Sequence, residues 1–404
     1  MSFNCFSLYI HIPFCVSKCS YCDFFSIPSG SKTSAISSEY ISSLCNEILF
    51  RFKDFPDYKL KTVYIGGGTP SLLTKEQLKT ITKTINKIGL TQDYEFTFEV
   101  NPDDVSCELL NSLEECGINR ISCGIQSFCD NVLKNVHRRA DEKTVLDALA
   151  LLKNNWHKKL SVDIICGLPG ETEQSMLKGL ELLVQNDIKH ISFYSLCVEE
   201  ETPLGKAITN GSQEYDYDFA DNLWLKGRDF LLSNGYIQYE VSNFCKPGFE
   251  CSHNMTYWTH KDYLGCGAGA TGTVYNIPLF GNSIDYKGEG VRYTNNKNID
   301  EYIKFWSQVG AKVVQNASNI PQSVEKIIHK TSEFEYFMMG LRTNNGISLS
   351  EYELLFGESV SKQIKEKLEL HCSQSDEDRY YMNAEQILFL NKFLEEIINM
   401  ELLQ

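Results

Sequence analysis

Short apolar runs alternate with amphipathic stretches over the first half of the chain. The apolar runs predict six β-strands, at Leu8–Ile12, Thr62–Ile65, Glu95–Val100, Arg120–Cys123, Lys159–Ile165 and His190–Leu196. Between them, apolar residues recur at helical spacing and predict helices over 41–52, 78–88 and 145–156. This alternation predicts a parallel α/β sheet, with six repeats against the eight of a complete (β/α) barrel.

The alternation decays after about residue 196. The segment Asp216–Asn234 predicts a further helix, and 236–290 is rich in Gly, Asn and aromatic residues. From 299 the pattern is mostly helical and ends with apolar residues at helical spacing over 387–397. We therefore predict three regions: a barrel core at 1–235, a connecting region at 236–298 and a C-terminal helical domain at 299–404.

The overall charge narrows the range of partners. The chain has 404 residues and a net charge of −15, which argues against broad binding to nucleic acids or anionic membranes. No stretch predicts a transmembrane segment, and no Lys or Arg precedes Lys18 as a secretory signal would require. The sequence therefore predicts a cytoplasmic protein without a nucleic-acid partner.

Three of the 15 cysteines form a spaced group directly after the first predicted strand. Cys15, Cys19 and Cys22 follow the pattern C-x3-C-x2-C, and three thiolates on one loop suit a soft metal centre. An iron–sulfur cubane held by three cysteines leaves one iron free for another ligand. The alternative is a zinc site with His11 as the fourth ligand. An odd number of cysteines in a reducing compartment argues against a disulfide.

The residues around these cysteines resemble a known family. The run Tyr9–Cys15, the three cysteines and the sequence Cys22-Asp23-Phe24 resemble radical S-adenosylmethionine (SAM) proteins. The similar branch contains oxygen-independent coproporphyrinogen III dehydrogenase and the heme chaperones of the HemW type. The resemblance implies a partial (β/α)6 barrel with a mostly helical C-terminal domain. It also implies a [4Fe–4S] cluster on the three cysteines, SAM on the open iron, and an electron donor.

The same resemblance implies a set of residues that bind SAM. The turn after the second strand matches the family's methionine-binding turn, and Glu99 matches the residue that accepts hydrogen bonds from the ribose. An aspartate among strand residues is costly to bury unpaired, so Asp163 stands out independently, with Arg138 as a possible partner. The full predicted set is Tyr9, Tyr21, Gly67, Gly68, Thr69, Glu99, Gln126, Arg138 and Asp163.

Three features of the sequence separate the heme chaperones from the dehydrogenase, and two of them lie near the N-terminus. Phe24 occupies the place of a further cysteine of the dehydrogenase, and only seven residues precede Leu8 where the dehydrogenase has a longer extension. Ala140 and Thr271 also stand where relatives commonly have histidine, so no role of those histidines is expected here.

A third feature is the run His253-Asn254-Met255-Thr256-Tyr257-Trp258, which matches the HNxxYW motif associated with heme binding in the chaperones. A ring nitrogen of His253 can ligate iron, while Tyr257 and Trp258 offer flat surfaces to a macrocycle. Cys251 and Tyr263 are alternative ligands nearby.

The resemblance implies a heme chaperone of the HemW type that hands heme to acceptor proteins. The alternative is an active dehydrogenase that decarboxylates two propionates of coproporphyrinogen III. A third possibility, from the cysteine spacing alone, is a zinc-stabilised α/β binding protein without redox chemistry.

Overall fold

The computed structural model of the chain describes residues 5–31, 36–309 and 320–398. Its strands are β1 (Cys5–Ile12), β2 (Phe14–Cys15), β3 (Ile27–Pro28), β4 (Lys59–Gly67), β5 (Leu90–Val100), β6 (Arg120–Gln126), β7 (Lys159–Cys166), β8 (His190–Ser195), β9 (Ile237–Gln238), β10 (Asn243–Cys245), β11 (Tyr263–Cys266), β12 (Thr271–Tyr275), β13 (Gly290–Asn295), β14 (Gln322–Ile327), β15 (Ile347–Ser348), β16 (Ser373–Gln374) and β17 (Arg379–Tyr381).

Its α-helices are α1 (Ser38–Phe52), α2 (Lys75–Ile88), α3 (Cys107–Glu115), α4 (Asp130–Asn135), α5 (Glu142–Asn155), α6 (Glu173–Gln185), α7 (Pro203–Thr209), α8 (Tyr217–Ser233), α9 (Ser252–Trp258), α10 (Ile299–Val309), α11 (His329–Gly340), α12 (Leu349–Phe356), α13 (Lys362–His371) and α14 (Leu390–Ile398).

One sheet organises the molecule. Within the described residues its strand order is β14-β13-β12-β11-β1-β4-β5-β6-β7-β8-β10-β9. The six strands predicted from the sequence are β1 and β4 to β8, which lie side by side and pair in parallel. The prediction of a partial (β/α)6 barrel is confirmed.

The sheet continues on both sides of the six predicted strands. Strand β11 pairs in parallel with β1, and β10 pairs antiparallel with β8. The remaining strands β12, β13 and β14 extend the β11 side as antiparallel neighbours. Strand β1 is therefore an interior strand of the sheet.

The helices begin where their capping residues predict. The Ser37 side chain accepts from the Tyr40 amide at the start of α1, and Thr74 and Gln77 form a capping box at the start of α2. These helices and α5 confirm the three predicted from apolar spacing. Asp216 caps the start of α8, so the helix predicted over Asp216–Asn234 is also confirmed.

The two faces of the parallel strands differ in chemistry because successive side chains point to opposite sides. Val63 and Ile65 of β4 are fully buried in the larger hydrophobic core, together with residues of α1 and α2. Thr62 and Tyr64 alternate with them and face the interior of the partial barrel, where their hydroxyls form hydrogen bonds. The barrel interior is therefore lined with polar side chains.

A second hydrophobic core lies in the C-terminal region. It is formed by buried residues between Tyr336 and Ile397, from α11 to α14, around a small sheet of β15, β17 and β16. Helix α10 belongs instead to the larger core, because Tyr302 and Trp306 are buried there and Tyr302 donates to Glu47 of α1. The mostly helical C-terminal region is confirmed, whereas the three predicted domain limits remain a proposal. None of the helices in the described ranges is long and apolar enough to cross a membrane.

Candidate cofactor site

A cavity of about 460 Å³ opens at the carboxyl ends of the parallel strands. We call it the cysteine cavity, because its wall includes Cys15, Cys19 and Cys22. Eleven residues of the predicted cluster and SAM sites line it together: Cys15, Cys19, Cys22, Tyr21, Gly67, Gly68, Thr69, Glu99, Gln126, Arg138 and Asp163. The chain thus brings residues from five separate strand ends to one place, where α/β folds bind their ligands.

The cysteine loop is tied to the barrel through its backbone. The amide of Ser20 donates to the Val136 carbonyl at 3.1 Å, and the Ser20 carbonyl accepts from Leu204 at 2.9 Å. At the end of the loop, the Ile27 amide donates to the Pro13 carbonyl at 2.7 Å. These contacts hold the three half-buried thiols on one wall of the cavity, and none of them forms a disulfide.

Two of the thiols receive hydrogen-bond donors from other elements. Thr69 Oγ1 donates to Cys15 Sγ at 3.4 Å, and Arg138 Nη1 donates to Cys19 Sγ at 3.7 Å. Asn101 joins these donors, because its Nδ2 donates to Thr69 at 3.2 Å and its Oδ1 accepts from Arg138 at 3.1 Å. Hydrogen bonds to the sulfurs are typical of clusters ligated by cysteine, so this sulfur set fits such a cluster.

His11 is not arranged as a fourth ligand beside the cysteines. Its Nδ1 is bonded to the Tyr9 hydroxyl at 2.8 Å and its Nε2 to the Phe25 carbonyl at 2.9 Å, so both ring nitrogens have partners. In the part of the chain that the structure describes, no group of three His, Cys, Asp or Glu side chains converges on one metal ion. The two hydrogen bonds of its ring nitrogens therefore do not favour His11 as a zinc ligand.

The glycine turn packs against the backbone of the cysteine strand. The Gly68 amide donates to the Ile12 carbonyl at 2.9 Å, and the Thr69 amide donates to the Phe14 carbonyl at 2.8 Å. A Cβ atom on Gly68 would lie 2.7 Å from the Phe14 oxygen, and Gly67 has φ of +113°. The glycine turn and the cysteine loop are therefore packed backbone to backbone, and Gly68 has no room for a side chain there.

Two acidic side chains lie deeper in the cysteine cavity. Glu99 accepts from the Tyr64 hydroxyl at 2.7 Å and from the Gly67 amide at 3.1 Å. Asp163 accepts from Ser122 Oγ at 3.0 Å. Burial raises the pKa of Glu99 to about 7 and that of Asp163 to about 6, and the charge of Asp163 contributes to the rise at Glu99. The pair therefore titrates close to neutral pH.

Arg138 has partners other than the one expected. It donates to Asn101, to the Gly124 carbonyl and to Cys19, and no ion pair with Asp163 is among the described contacts. No hydrogen bond joins Arg138 to Asp163, whose carboxylate accepts from Ser122, but the positive charge of Arg138 acts to lower the pKa of Asp163, so their pairing stays a prediction. The Nε atom of Arg138 is buried without a partner among the described residues. Arg138 therefore contacts the cysteine loop through its hydrogen bond to Cys19.

Two predicted elements lie outside the cysteine cavity. Tyr9 is not among the residues that line the cavity, and its hydroxyl is hydrogen-bonded to His11 Nδ1 at 2.8 Å. The HNxxYW motif forms helix α9, and His253 is buried inside the barrel with Nδ1 bonded to Thr62 at 2.7 Å and Nε2 to Tyr257 at 2.8 Å. Burial lowers the pKa of His253 to about 3, so the ring is neutral.

Several cavity residues were not predicted from the sequence. They include Tyr64, Asn101, Ser122, Tyr194 and Cys197. Side chains two residues apart on a strand lie on the same face, so strand alternation could have indicated two of them. Tyr64 shares a face with Gly66 at the start of the glycine turn, and Ser122 shares a face with Gly124 beside Gln126. Asn101 immediately follows Glu99 and Val100 at the end of β5, but the link that it makes between Thr69 and Arg138 depends on the tertiary structure.

Comparison with known proteins places the chain in a family. A family model described as the Radical SAM superfamily matches residues 9–183. The protein named heme chaperone HemW from Lactococcus lactis subsp. lactis (strain IL1403) is 34% identical, over 90% of this chain and 90% of its own. The protein of the same name from Haemophilus influenzae is 32% identical, over 98% of each chain. The chain belongs to the HemW family.

A solved structure extends the comparison of the fold beyond the HemW family. Coproporphyrinogen III oxidase (HemN) from Escherichia coli, described as a radical SAM enzyme, superposes with a TM-score of 0.76 at 21% identity, over 97% of this chain and 89% of its own. The HemW family member described here thus has the radical SAM fold of that enzyme. Membership of the superfamily favours an iron–sulfur cluster over the zinc alternative.

Proposed function

We propose that the chain is a heme chaperone that binds a [4Fe–4S] cluster, SAM and heme, and passes heme to acceptor proteins. The observation that carries this proposal is the similarity to proteins named heme chaperone HemW, at 34% identity over 90% of both chains. Phe24 supports it, because this residue occupies the place of a further cysteine of the dehydrogenase branch.

We assign the cluster to Cys15, Cys19 and Cys22. Their three sulfurs line one cavity, and Thr69 and Arg138 donate hydrogen bonds to those of Cys15 and Cys19. When bound, the cluster and SAM together supply one-electron reductive chemistry, which requires an electron donor. The loop holds its sulfurs through backbone hydrogen bonds to Val136 and Leu204.

We assign SAM to the rest of the cysteine cavity. Glu99 presents a carboxylate that can accept from ribose hydroxyls, and the glycine turn leaves its backbone open to the methionine moiety. Gln126 ends β6 in a left-handed conformation with φ of +70°, at a register shift that directs the chain around the cavity. Tyr21, Arg138 and Asp163 complete the lining, and Tyr9, which is bonded to His11, stays a predicted member of the site.

The heme assignment of His253, Tyr257 and Trp258 stays a prediction. Both ring nitrogens of His253 already have partners, so its contacts support a role in seating helix α9 in the barrel. We also propose a cytoplasmic location and acceptor proteins as partners. The proposal of no nucleic-acid partner is based on the net charge of −15.

The deciding experiment is anaerobic reconstitution of the cluster, followed by two assays on one preparation. We expect heme titration to give saturable binding, and we expect bound heme to move to an apo-acceptor protein. We expect no conversion of coproporphyrinogen III when SAM and a reductant are supplied. Robust decarboxylation would support the dehydrogenase instead, and a reconstituted chain that binds no heme would refute the chaperone proposal.

A further inference from the structure

A second cavity, of about 320 Å³, lies between the end of helix α1 and the segment 277–280 that follows β12. We call it the α1 cavity; its lining residues are different from those of the cysteine cavity. Most of its wall is apolar, and the apolar lining includes Phe50, Phe55, Leu264, Ile277, Leu279 and Phe280. Small-molecule sites have volumes of about 300–1,000 Å³ and combine such a wall with a few placed polar groups.

The buried polar group in this wall is Arg51, whose side chain is 1% exposed. Its Nε and Nη2 atoms donate to the Glu47 carboxylate at 3.1 and 2.9 Å, and Nη2 also donates to Asn295 and Gln322. Because the edge formed by Nε and Nη2 is turned to Glu47, Nη1 is the corner of the guanidinium that points away from that carboxylate. Nη1 is buried and has no acceptor among the described residues.

The surroundings of Arg51 offer Nη1 aromatic rings rather than an oxygen acceptor. The rings of Tyr293 and Phe280 lie 4.0 and 5.1 Å from the guanidinium carbon, which stabilises its charge. The ring of Trp306 lies 5.6 Å from the same carbon, and its Nε1 is also buried without a partner in the part of the chain that the structure describes. A buried donor that lacks an acceptor is unfavourable, and more so on a charged group. Unmet donors therefore collect beside the α1 cavity.

The charged residues of the α1 cavity favour a ligand with an acceptor of negative charge. Its lining includes two cations, Arg51 and Lys53, against one anion, Asp54. Lys53 is exposed and forms no ion pair with the described residues, so its ammonium is available at the mouth. A guanidinium donates only, so it can bind a carboxylate but offers nothing to an ammonium group.

We propose that the α1 cavity binds an apolar monocarboxylate of the medium-chain fatty acid type. Its carboxylate accepts from Arg51 Nη1, and its alkyl chain lies along the apolar wall between α1 and the segment 277–280. The carboxylate supplies the charge-assisted acceptor that the guanidinium lacks, and the wall removes the alkyl chain from water. The site is separate from the cysteine cavity, so this inference does not depend on the proposed function.

The test is calorimetric titration of the full chain with octanoate and with two analogues of the same chain length. Octanamide keeps a neutral acceptor, whereas octylammonium has donors only. We expect saturable binding of one octanoate per chain, with octanamide weaker by about tenfold and octylammonium by about a hundredfold. Octanoate should also raise the melting temperature, because it binds the folded chain. If octanoate does not bind, or if all three bind equally, the inference is wrong.

Two variants test the location of the site. Leu279→Trp fills the cavity from a half-buried position on the segment 277–280, and we expect it to weaken octanoate binding by at least about tenfold. Arg51→Lys keeps a positive charge beside Glu47 but removes Nη1, and we expect a loss of similar size. Leu279→Trp leaves the hydrogen bonds of Arg51 in place, so it tests the site even where Arg51→Lys fails to fold.

The matched control is Leu388→Trp, which adds the same side chain at an exposed position of the C-terminal region. We expect it to bind octanoate like the unchanged chain, and circular dichroism shows whether each variant has folded. If a folded Leu279→Trp binds octanoate with unchanged affinity, the ligand binds outside the α1 cavity. If a folded Arg51→Lys does so, Arg51 does not hold the carboxylate.

Discussion

The Tyr64 hydroxyl donates a hydrogen bond to the Glu99 carboxylate at 2.7 Å. The ring of the same tyrosine lies 5.0 Å from the His253 imidazole, centroid to centroid. One side chain therefore touches both the cysteine cavity and helix α9. A change at either place can reach the other through Tyr64, which gives the barrel interior a direct connection between its two ends.

The first prediction concerns the cluster. Replacing Cys15, Cys19 or Cys22 by Ser should abolish the anaerobic iron–sulfur absorbance, because no other cysteine of the described residues stands on this loop. Iron and acid-labile sulfide are measured on each variant. Cys45→Ser and Cys372→Ser are the controls and should retain the absorbance; equal loss from all five would contradict the assignment.

The second prediction concerns SAM. Glu99→Ala should weaken SAM binding by about 1–3 kcal/mol, because it removes an acceptor and leaves the Tyr64 hydroxyl and the Gly67 amide without their partner. Tyr64→Phe should weaken SAM binding less, because the Glu99 carboxylate still accepts a hydrogen bond from the Gly67 amide. Calorimetry on the reconstituted protein measures both, with exposed Glu76→Ala as the control. Unchanged affinity in Glu99→Ala would place SAM elsewhere.

The third prediction concerns the glycine turn. Gly68→Ala should lower both cluster content and SAM affinity, because its Cβ would stand 2.7 Å from the Phe14 oxygen and 2.9 Å from the Ile12 oxygen. Backbone atoms there cannot yield as a flexible side chain can. Gly30→Ala is the control for backbone strain near the loop without a steric contact, since its φ is +70° and nothing lies within 4 Å of its Cβ position; it should lower cluster content less than Gly68→Ala. Full cluster content in Gly68→Ala would show that the two segments move independently.

The fourth prediction is a pH dependence of stability. The pKa of Glu99 is raised to about 7 in the folded chain, so between its ordinary value and neutrality the folded state binds more protons than the unfolded state. Stability should therefore fall as pH rises through this range, and Asp163, with a pKa of about 6, should add to the fall. The melting temperature of the unchanged chain, relative to Glu99→Gln, should decrease from about pH 5 to about pH 8. A constant difference would contradict the raised pKa.

The fifth prediction concerns the motif histidine. His253→Ala should lower the melting temperature, because Thr62 and Tyr257 lose their hydrogen-bond partner inside the barrel. It should also alter the spectrum of bound heme, since helix α9 is no longer held in place. Tyr257→Phe removes only one of these hydrogen bonds and should destabilise the chain less. If His253→Ala has the stability of the unchanged chain, the histidine does not seat the helix.

The strands and the cysteine loop could be predicted because their signals are local. An apolar run followed by Pro13 and Cys15 marks a strand end and a loop within a few residues. The partners of Arg138 could not be predicted, because Asn101 and Cys19 lie at other strand ends and reach it only in the folded chain. The place of His253 depends on contact with Thr62, 191 residues away in the sequence. Such long-range pairing leaves no periodic pattern.

Strand β1 has hydrogen-bonded neighbours on both sides, β11 and β4, and the cysteine loop leaves from its end. Each amide of β1 donates to one of these two neighbours, so releasing the whole strand requires both ladders to open. The loop is therefore anchored to an interior strand rather than to an edge of the sheet. Fraying at the edge strands β9 and β14 can proceed without loosening this anchor, so local opening there should leave the three sulfurs in place.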